Sequence, residues 1–165
     1  MHTTARRWAQ AVAPLLICAL ALTATPAAAE DADQKTPRDK AAITSLQTFK
    51  NANTGECLDH SFQYGLRTIT CYYNEWQTWN VWTNGPYVVL QNSSTGQCLY
   101  ETWYGAPAAT GCDWGNNDFQ WLPIGVGSGG RIILTNRSTR SCLDDTRRSG
   151  LRVVTCENKL SHLWS

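Results

Sequence analysis

The chain has 165 residues, seven of them Cys, eight Trp and twelve Gly; 16% are charged and the formal net charge is +1. That length suits one domain, and many Cys and Trp with few charges describe a compact β-rich chain stapled by disulfides. Disorder and a coiled coil are excluded, and near-neutrality gives no general reason to expect nucleic acid or an anionic membrane as partner.

Residues 1–29 read as a secretory signal peptide. Arg6 and Arg7 make a positive start, an apolar stretch runs from Trp8 to Leu22, and Ala27-Ala28-Ala29 precede the acidic Glu30-Asp31. Cleavage is expected after Ala29, which makes the protein secreted and extracellular. The apolar stretch is too short to span a bilayer and is interrupted by Pro14, so no membrane insertion is expected. Cys18 is signal-peptide filler. Beyond Ala29 lie 136 residues with 12 Lys+Arg against 13 Asp+Glu, a net charge of −1, and six Cys. Residues 30–45 are charged, lack a strand pattern and read as a mobile leader.

From about residue 46 the chain repeats, in units of about 46–85, 86–130 and 131–165. Cys57 and Cys71, Cys98 and Cys112, and Cys142 and Cys156 are each 14 apart, and the first Cys recurs at steps of 41 and 44. Each unit opens on an apolar residue with Asn two places later: Phe49 and Asn51, Leu90 and Asn92, Leu134 and Asn136. A Thr stands three residues before each first Cys and a Leu directly after it, and the unit closes on Trp79, Trp121 or Trp164.

The runs TFKN, ECLDH, RTITCY and WNVWT in the first unit, and YVVLQN and RIILTN in the others, are short, extended and separated by Gly, Asn and Ser turns. No segment carries helical periodicity. An even number of Cys in an exported chain favours disulfides over metal or catalytic thiols, and of the fifteen pairings six Cys allow, the repeat singles out Cys57–Cys71, Cys98–Cys112 and Cys142–Cys156. A propeller needs at least about four blades. Three units closing on one another instead predict an all-β fold, a threefold barrel with a hairpin cap: a β-trefoil. The closing Trp residues then belong to its shared core.

With the units aligned, the chain resembles a ricin-type lectin domain over roughly residues 46–165. The resemblance rests on Gly55-Glu56-Cys57-Leu58-Asp59, Gly96-Gln97-Cys98-Leu99 and Cys142-Leu143-Asp144, and on a closing Q-x-W present as Gln77-Thr78-Trp79. Phe119 and His162 replace its Gln in the second and third units. The resemblance implies binding of glycans or polysaccharide through shallow sites, one per unit. The Asp after the first Cys accepts sugar hydroxyls, an amide near the closing motif adds to the grip, and a ring underlies the sugar's apolar face.

Carried over residue by residue, the first unit offers Asp59, Asn74 and Gln77, with Tyr64 and also His60, Phe62, Tyr72, Tyr73 and Trp76 as ring candidates. The third offers Asp144, Asn158 and His162, beside Asp145, but no ring apart from Trp164. In the second, Tyr100 stands for the Asp and Phe119 for the Gln; its site is lost or turned aromatic through Trp103, Tyr104 and Trp114. Arg67 and Arg152 share a place in a GLR-x-x-TC-like stretch and read as a repeated surface feature.

Residues 86–130 carry net −3 and residues 131–165 net +4. The cationic third unit suits either an anionic glycan or a solvated face. No nucleophile-elbow, zinc or phosphate-loop motif occurs, so no enzyme, cofactor or metal is implied, and the oligomeric state stays open. Asn92-Ser93-Ser94 and Asn136-Arg137-Ser138 fit the glycosylation pattern but fall at the repeated turn. A protein-binding trefoil, such as a secreted hydrolase inhibitor or toxin-delivery subunit, is the alternative function. Because Trp164 is followed only by Ser165, the last strand is expected to be short and the barrel slightly open at its seam.

Overall fold

The computed structural model describes residues 43–165; the segment expected to be a signal peptide and nearly all of the expected leader lie outside the described residues. The first unit contains β1 (Ile43–Gln47), β2 (Cys57–Ser61), β3 (Gly65–Ile69) and β4 (Trp79–Asn84). The second contains β5 (Tyr87–Asn92), β6 (Cys98–Glu101), β7 (Pro107–Thr110) and β8 (Trp121–Val126). The third contains β9 (Arg131–Asn136), β10 (Cys142–Thr146), β11 (Gly150–Val154) and β12 (Leu163–Trp164). A single 3₁₀ turn precedes the last strand of each unit, at Glu75–Gln77, Asn117–Phe119 and Leu160–His162. The fold is the expected β-trefoil, with the three expected disulfides. Each bridge closes a short loop and contributes roughly 3 kcal/mol in the chain-entropy picture.

The outer strands of the units form the barrel: β1 pairs with β4, β4 with β5, β5 with β8, β8 with β9 and β9 with β12, all antiparallel. The middle strands form hairpins, β2–β3, β6–β7 and β10–β11. β1 starts at Ile43, inside the stretch expected to be leader, because Ile43–Gln47 finds a ladder along β4. β12 is only two residues long. The seam is nevertheless tied rather than open: Lys50 N donates to Ser165 O at 2.8 Å and Ser165 N to Lys50 O at 3.0 Å.

One core serves all three units. Phe49, Leu58, Trp79, Leu90, Leu99, Trp121, Leu134, Leu143 and Trp164 pack together, fully or almost fully buried. Each closing Trp also satisfies its indole N–H inside its own unit, donating to the carbonyl of Leu58, Leu99 or Leu143. An unpaired buried N–H would cost free energy, so this bond lets the largest side chain sit at the centre.

Two further sets of threefold contacts join the units. Asn51, Asn92 and Asn136 accept the backbone N–H groups of their own turns on Oδ1. Their amides then donate to the 3₁₀ turn of the preceding unit, at the carbonyls of Ser161, Trp76 and Asp118. The residue three past each first Cys bonds the Thr three before the next first Cys: His60 with Thr95, Glu101 with Thr139, and Asp145 with Thr54.

Candidate functional site

In the first hairpin, β2 sends Leu58 into the core and turns Asp59 the other way. The antiparallel register places Asp59 opposite Arg67 on β3, and Arg67 Nε donates to Asp59 Oδ1 at 3.0 Å. Asp59 is 1% exposed, and its second oxygen, Oδ2, has no hydrogen-bond partner among the described residues. A buried carboxylate oxygen left without a donor is costly. Arg67 carries the charge outward, its guanidinium lying 4.4 Å from the Tyr64 ring centre.

Arg67 lines a cleft of about 310 Å³ whose other walls are Ser61, Phe62, Gln63 and Tyr64 of the β2–β3 turn, Trp76 of the 3₁₀ turn, and Ser94 and Thr95 of the second unit. Ser61 Oγ accepts the Tyr64 N–H at 3.2 Å and shapes the turn. His60 Nδ1 lies 2.7 Å from Thr95 Oγ1, which ties the two walls together. Burial holds the His60 pKa below its usual value despite the opposing pull of Asp59. Phe62, Tyr64 and Trp76 are exposed, so the cleft offers aromatic faces beside a guanidinium and the hydroxyl groups of Ser61, Ser94 and Thr95.

The remaining first-unit candidates do other work. Gln77 is fully buried; its Oε1 accepts the N–H groups of Tyr72 and Tyr73, and its Nε2 donates to Thr70 O. It thus clamps a bend in which Tyr73 has a positive φ of 53°, a strained position for a bulky residue. Tyr72 and Tyr73 point outward. Asn74 is half-buried, with its Oδ1 unbonded among the described residues.

The third unit repeats the ion pair. Asp144, 1% exposed, faces Arg152 across β10–β11 and accepts its Nε at 2.6 Å. Asp144 Oδ1 lies 3.3 Å from His162 Nε2, too poorly aligned for a hydrogen bond. His162 is fully buried and its Nδ1 meets the backbone of Glu157, so Asp144 and His162 come together but away from solvent. Asn158 is exposed.

In the second unit the corresponding place is filled. Tyr100 stacks on Phe119, ring centres 4.9 Å apart and planes 14° from parallel. Val89 and Cys98 are buried with Phe119, and Trp82 and Trp114 pack against the same small apolar cluster. The two rings thus pack on each other at the places that Asp59 and Gln77 hold in the first unit. Trp103, 93% exposed, and Tyr104 remain at the β6–β7 tip.

A family model described as ricin-type beta-trefoil lectin domain-like matches residues 75–153. Over this stretch the chain resembles the ricin-type β-trefoil lectin-like family. No curated protein sequence matches the chain. Among solved structures the chain is similar to the designed threefold-symmetric protein ThreeFoil, at 18% identity and TM-score 0.64, covering 72% of this chain and 95% of that one. SeviL, solved bound to asialo-GM1 saccharide, matches at 15% identity and TM-score 0.61, covering 72% of this chain and 93% of that one. A Clostridium perfringens endo-β-galactosidase releasing GlcNAcα1-4Gal matches at 18% identity and TM-score 0.65, over 73% of this chain but only 31% of the enzyme. At such identities the likeness establishes the fold.

Sequence reasoning reaches the rings of the first cleft but not Ser94 or Thr95, which come from the neighbouring unit. The available signal is the Thr three residues before each first Cys, which reads in sequence only as a register marker. Arg67 and Arg152 read as surface residues, whereas each carries the ion pair of its hairpin. Among the described residues no cluster of His, Cys, Asp and Glu is arranged to hold a metal, and no helix is long and apolar enough to cross a membrane.

Proposed function

We propose that the protein is a secreted, non-catalytic lectin that binds glycans or polysaccharide through the first-unit cleft and a second site at the third-unit hairpin. The observation that carries this reading is the first cleft itself. Three exposed rings and the hydroxyl-bearing residues Ser61, Ser94 and Thr95 surround Arg67, which buried Asp59 holds in place. Rings cover the C–H face of a sugar at little entropic cost, and a guanidinium held by a buried carboxylate donates to neighbouring sugar oxygens.

Tyr64 supplies a contact surface, Arg67 the polar grip, buried Asp59 holds Arg67 in place, and Gln77 and Asn74 support the bend beside it. In the third unit, Arg152 forms the grip, buried Asp144 holds it with His162 behind, and exposed Asn158 lies nearby in the chain. Shallow single sites of this kind bind weakly, so avidity on a polymer or cell surface supplies much of the strength.

A glycan and polysaccharide binding screen of the chain, run beside Asp59→Ala, Asp144→Ala and Tyr64→Ala, tests this. Binding that falls with these substitutions while the disulfide-bonded fold persists supports the lectin. A folded chain that binds no glycan refutes it.

The β6–β7 tip favours a second reading, a protein-binding trefoil, because Trp103 and Tyr104 present an exposed aromatic pair with ring centres 5.4 Å apart. Under that reading, Trp103→Ala abolishes the interaction while Asp59→Ala leaves it intact.

A further inference from the structure

The first and third hairpins share their ion pair but not what surrounds it. Asp59 opposes Arg67, and Asp144 opposes Arg152, at the same register. Between them, Phe62-Gln63-Tyr64 in the first unit becomes Arg147-Arg148-Ser149 in the third. Tyr64 covers the Arg67 guanidinium at 4.4 Å. Ser149 offers no ring, and the Arg152 side chain is 40% exposed, against 32% for Arg67. The place of Trp76, one residue before Gln77, is taken by buried Ser161, one residue before His162. A neutral sugar therefore lacks in the third unit the stacking surface it meets in the first.

Cations without an ion pair among the described residues, Arg147 and Arg148, stand there instead. Two carboxylates of this unit pair with other cations, Asp144 with Arg152 and Glu157 with Lys159 at 2.9 Å, and the third, Asp145, is buried with both oxygens on Thr54 and Thr68. Arg147 spends one N–H on the Thr54 carbonyl at 3.3 Å, and no bond ties Arg148 to any described residue. Arg147 and Arg152 are each held by one bond, which orients their guanidinium groups before any ligand arrives. A guanidinium fork matches carboxylate and sulfate oxygens bidentately.

We infer that the third-unit hairpin is a subsite for anionic sugar units, carrying a carboxylate or sulfate group, and that it differs in specificity from the aromatic first cleft. This rests on the lectin reading.

The test measures binding of the full chain to polygalacturonate, a sulfated galactan, the neutral polysaccharide bound best in the glycan screen, and inorganic polyphosphate as a sugar-free polyanion. Wild type is compared with the double variant Arg147→Gln/Arg148→Gln, in which both changed residues are exposed turn positions, and with Tyr64→Ala. Wild type binds at least one anionic polysaccharide more tightly than polyphosphate, and the double variant weakens that binding by about tenfold or more, the loss of one charge-assisted contact. Neutral binding falls in Tyr64→Ala and not in the double variant. The polygalacturonate and sulfated arms tell a carboxylate ligand from a sulfate one.

Anionic binding undiminished in the double variant, or matched by polyphosphate, overturns the inference. Neutral binding with no anionic binding overturns it while leaving the lectin reading in place. No polysaccharide binding at all removes both.

Discussion

Thr54 and Asp145 lie 91 positions apart in the chain, yet Thr54 Oγ1 donates to Asp145 Oδ2 at 2.6 Å. The other oxygen of Asp145 accepts the Thr68 hydroxyl at 2.9 Å, so one buried carboxylate joins the third unit to a turn and to β3 of the first. The equivalent links, His60 with Thr95 and Glu101 with Thr139, use a different group at each junction.

Because both oxygens of Asp145 are filled, removing it leaves two hydroxyl groups unpaired at once. Asp145→Ala is expected to cost about 3 kcal/mol of stability, and Asp145→Asn less, since the amide keeps one acceptor. Urea unfolding monitored by Trp fluorescence checks this. A loss below about 1 kcal/mol would mean that the bonds merely replace equally good ones to water.

The other two junctions respond to pH in opposite ways. Burial lowers the His60 pKa from 6.5, so its contribution to stability is present above that value and is lost as pH falls below it. Burial raises the Glu101 pKa from 4.5, against the Thr139 hydrogen bond, so its contribution is full below 4.5 and is lost as pH rises through its folded value. His60→Gln should therefore flatten the decline in melting temperature between about pH 7 and pH 5, and Glu101→Gln should raise the melting temperature at neutral pH. Thermal unfolding at a series of pH values reads both; parallel curves for wild type and His60→Gln would rule out the His60 assignment.

Two residues before each first Cys the backbone has a positive φ: 74° at Gly55, 69° at Gly96 and 66° at Arg140. Glycine takes that conformation freely, whereas a side chain there costs on the order of 1 kcal/mol. Arg140→Gly should stabilise the protein by about 0.5–1 kcal/mol, seen as a higher melting temperature with all three disulfides intact. An unchanged or lower value would show that Arg140 compensates for its backbone strain.

Asn92 and Asn136 head glycosylation patterns, but both side chains are fully buried and their amides donate to Trp76 O and Asp118 O. Expression in a glycosylating eukaryotic host should give a protein whose intact mass shows no glycan at either position. A glycosylated, folded product would require the turn to open, and would contradict this burial.

Much of the architecture was legible because a repeat is a one-dimensional pattern. Cys at constant spacing, Leu after the first Cys and Trp at the close are each demanded by local geometry, and their threefold recurrence points to a shared core. The short β12 was legible for the same reason. The tied seam was not, since it depends on main-chain bonds between Lys50 and Ser165, which carry no side-chain signature. The candidate site was legible in part. Asp59, Asp144, Tyr64 and the other rings followed from the register of the resemblance, but which groups face solvent did not.

By itself, then, the sequence determined the number of units, the disulfide pairing and the core, because these arise from contacts at fixed separations within each unit. Only the tertiary structure decided that Arg67 and Arg152 stand over the buried carboxylates, that Gln77 and His162 turn inward, and that Ser94 and Thr95 complete a cleft begun 30 residues earlier. Those outcomes depend on cross-strand pairing and on how one unit leans against the next, which no single unit's residue pattern encodes.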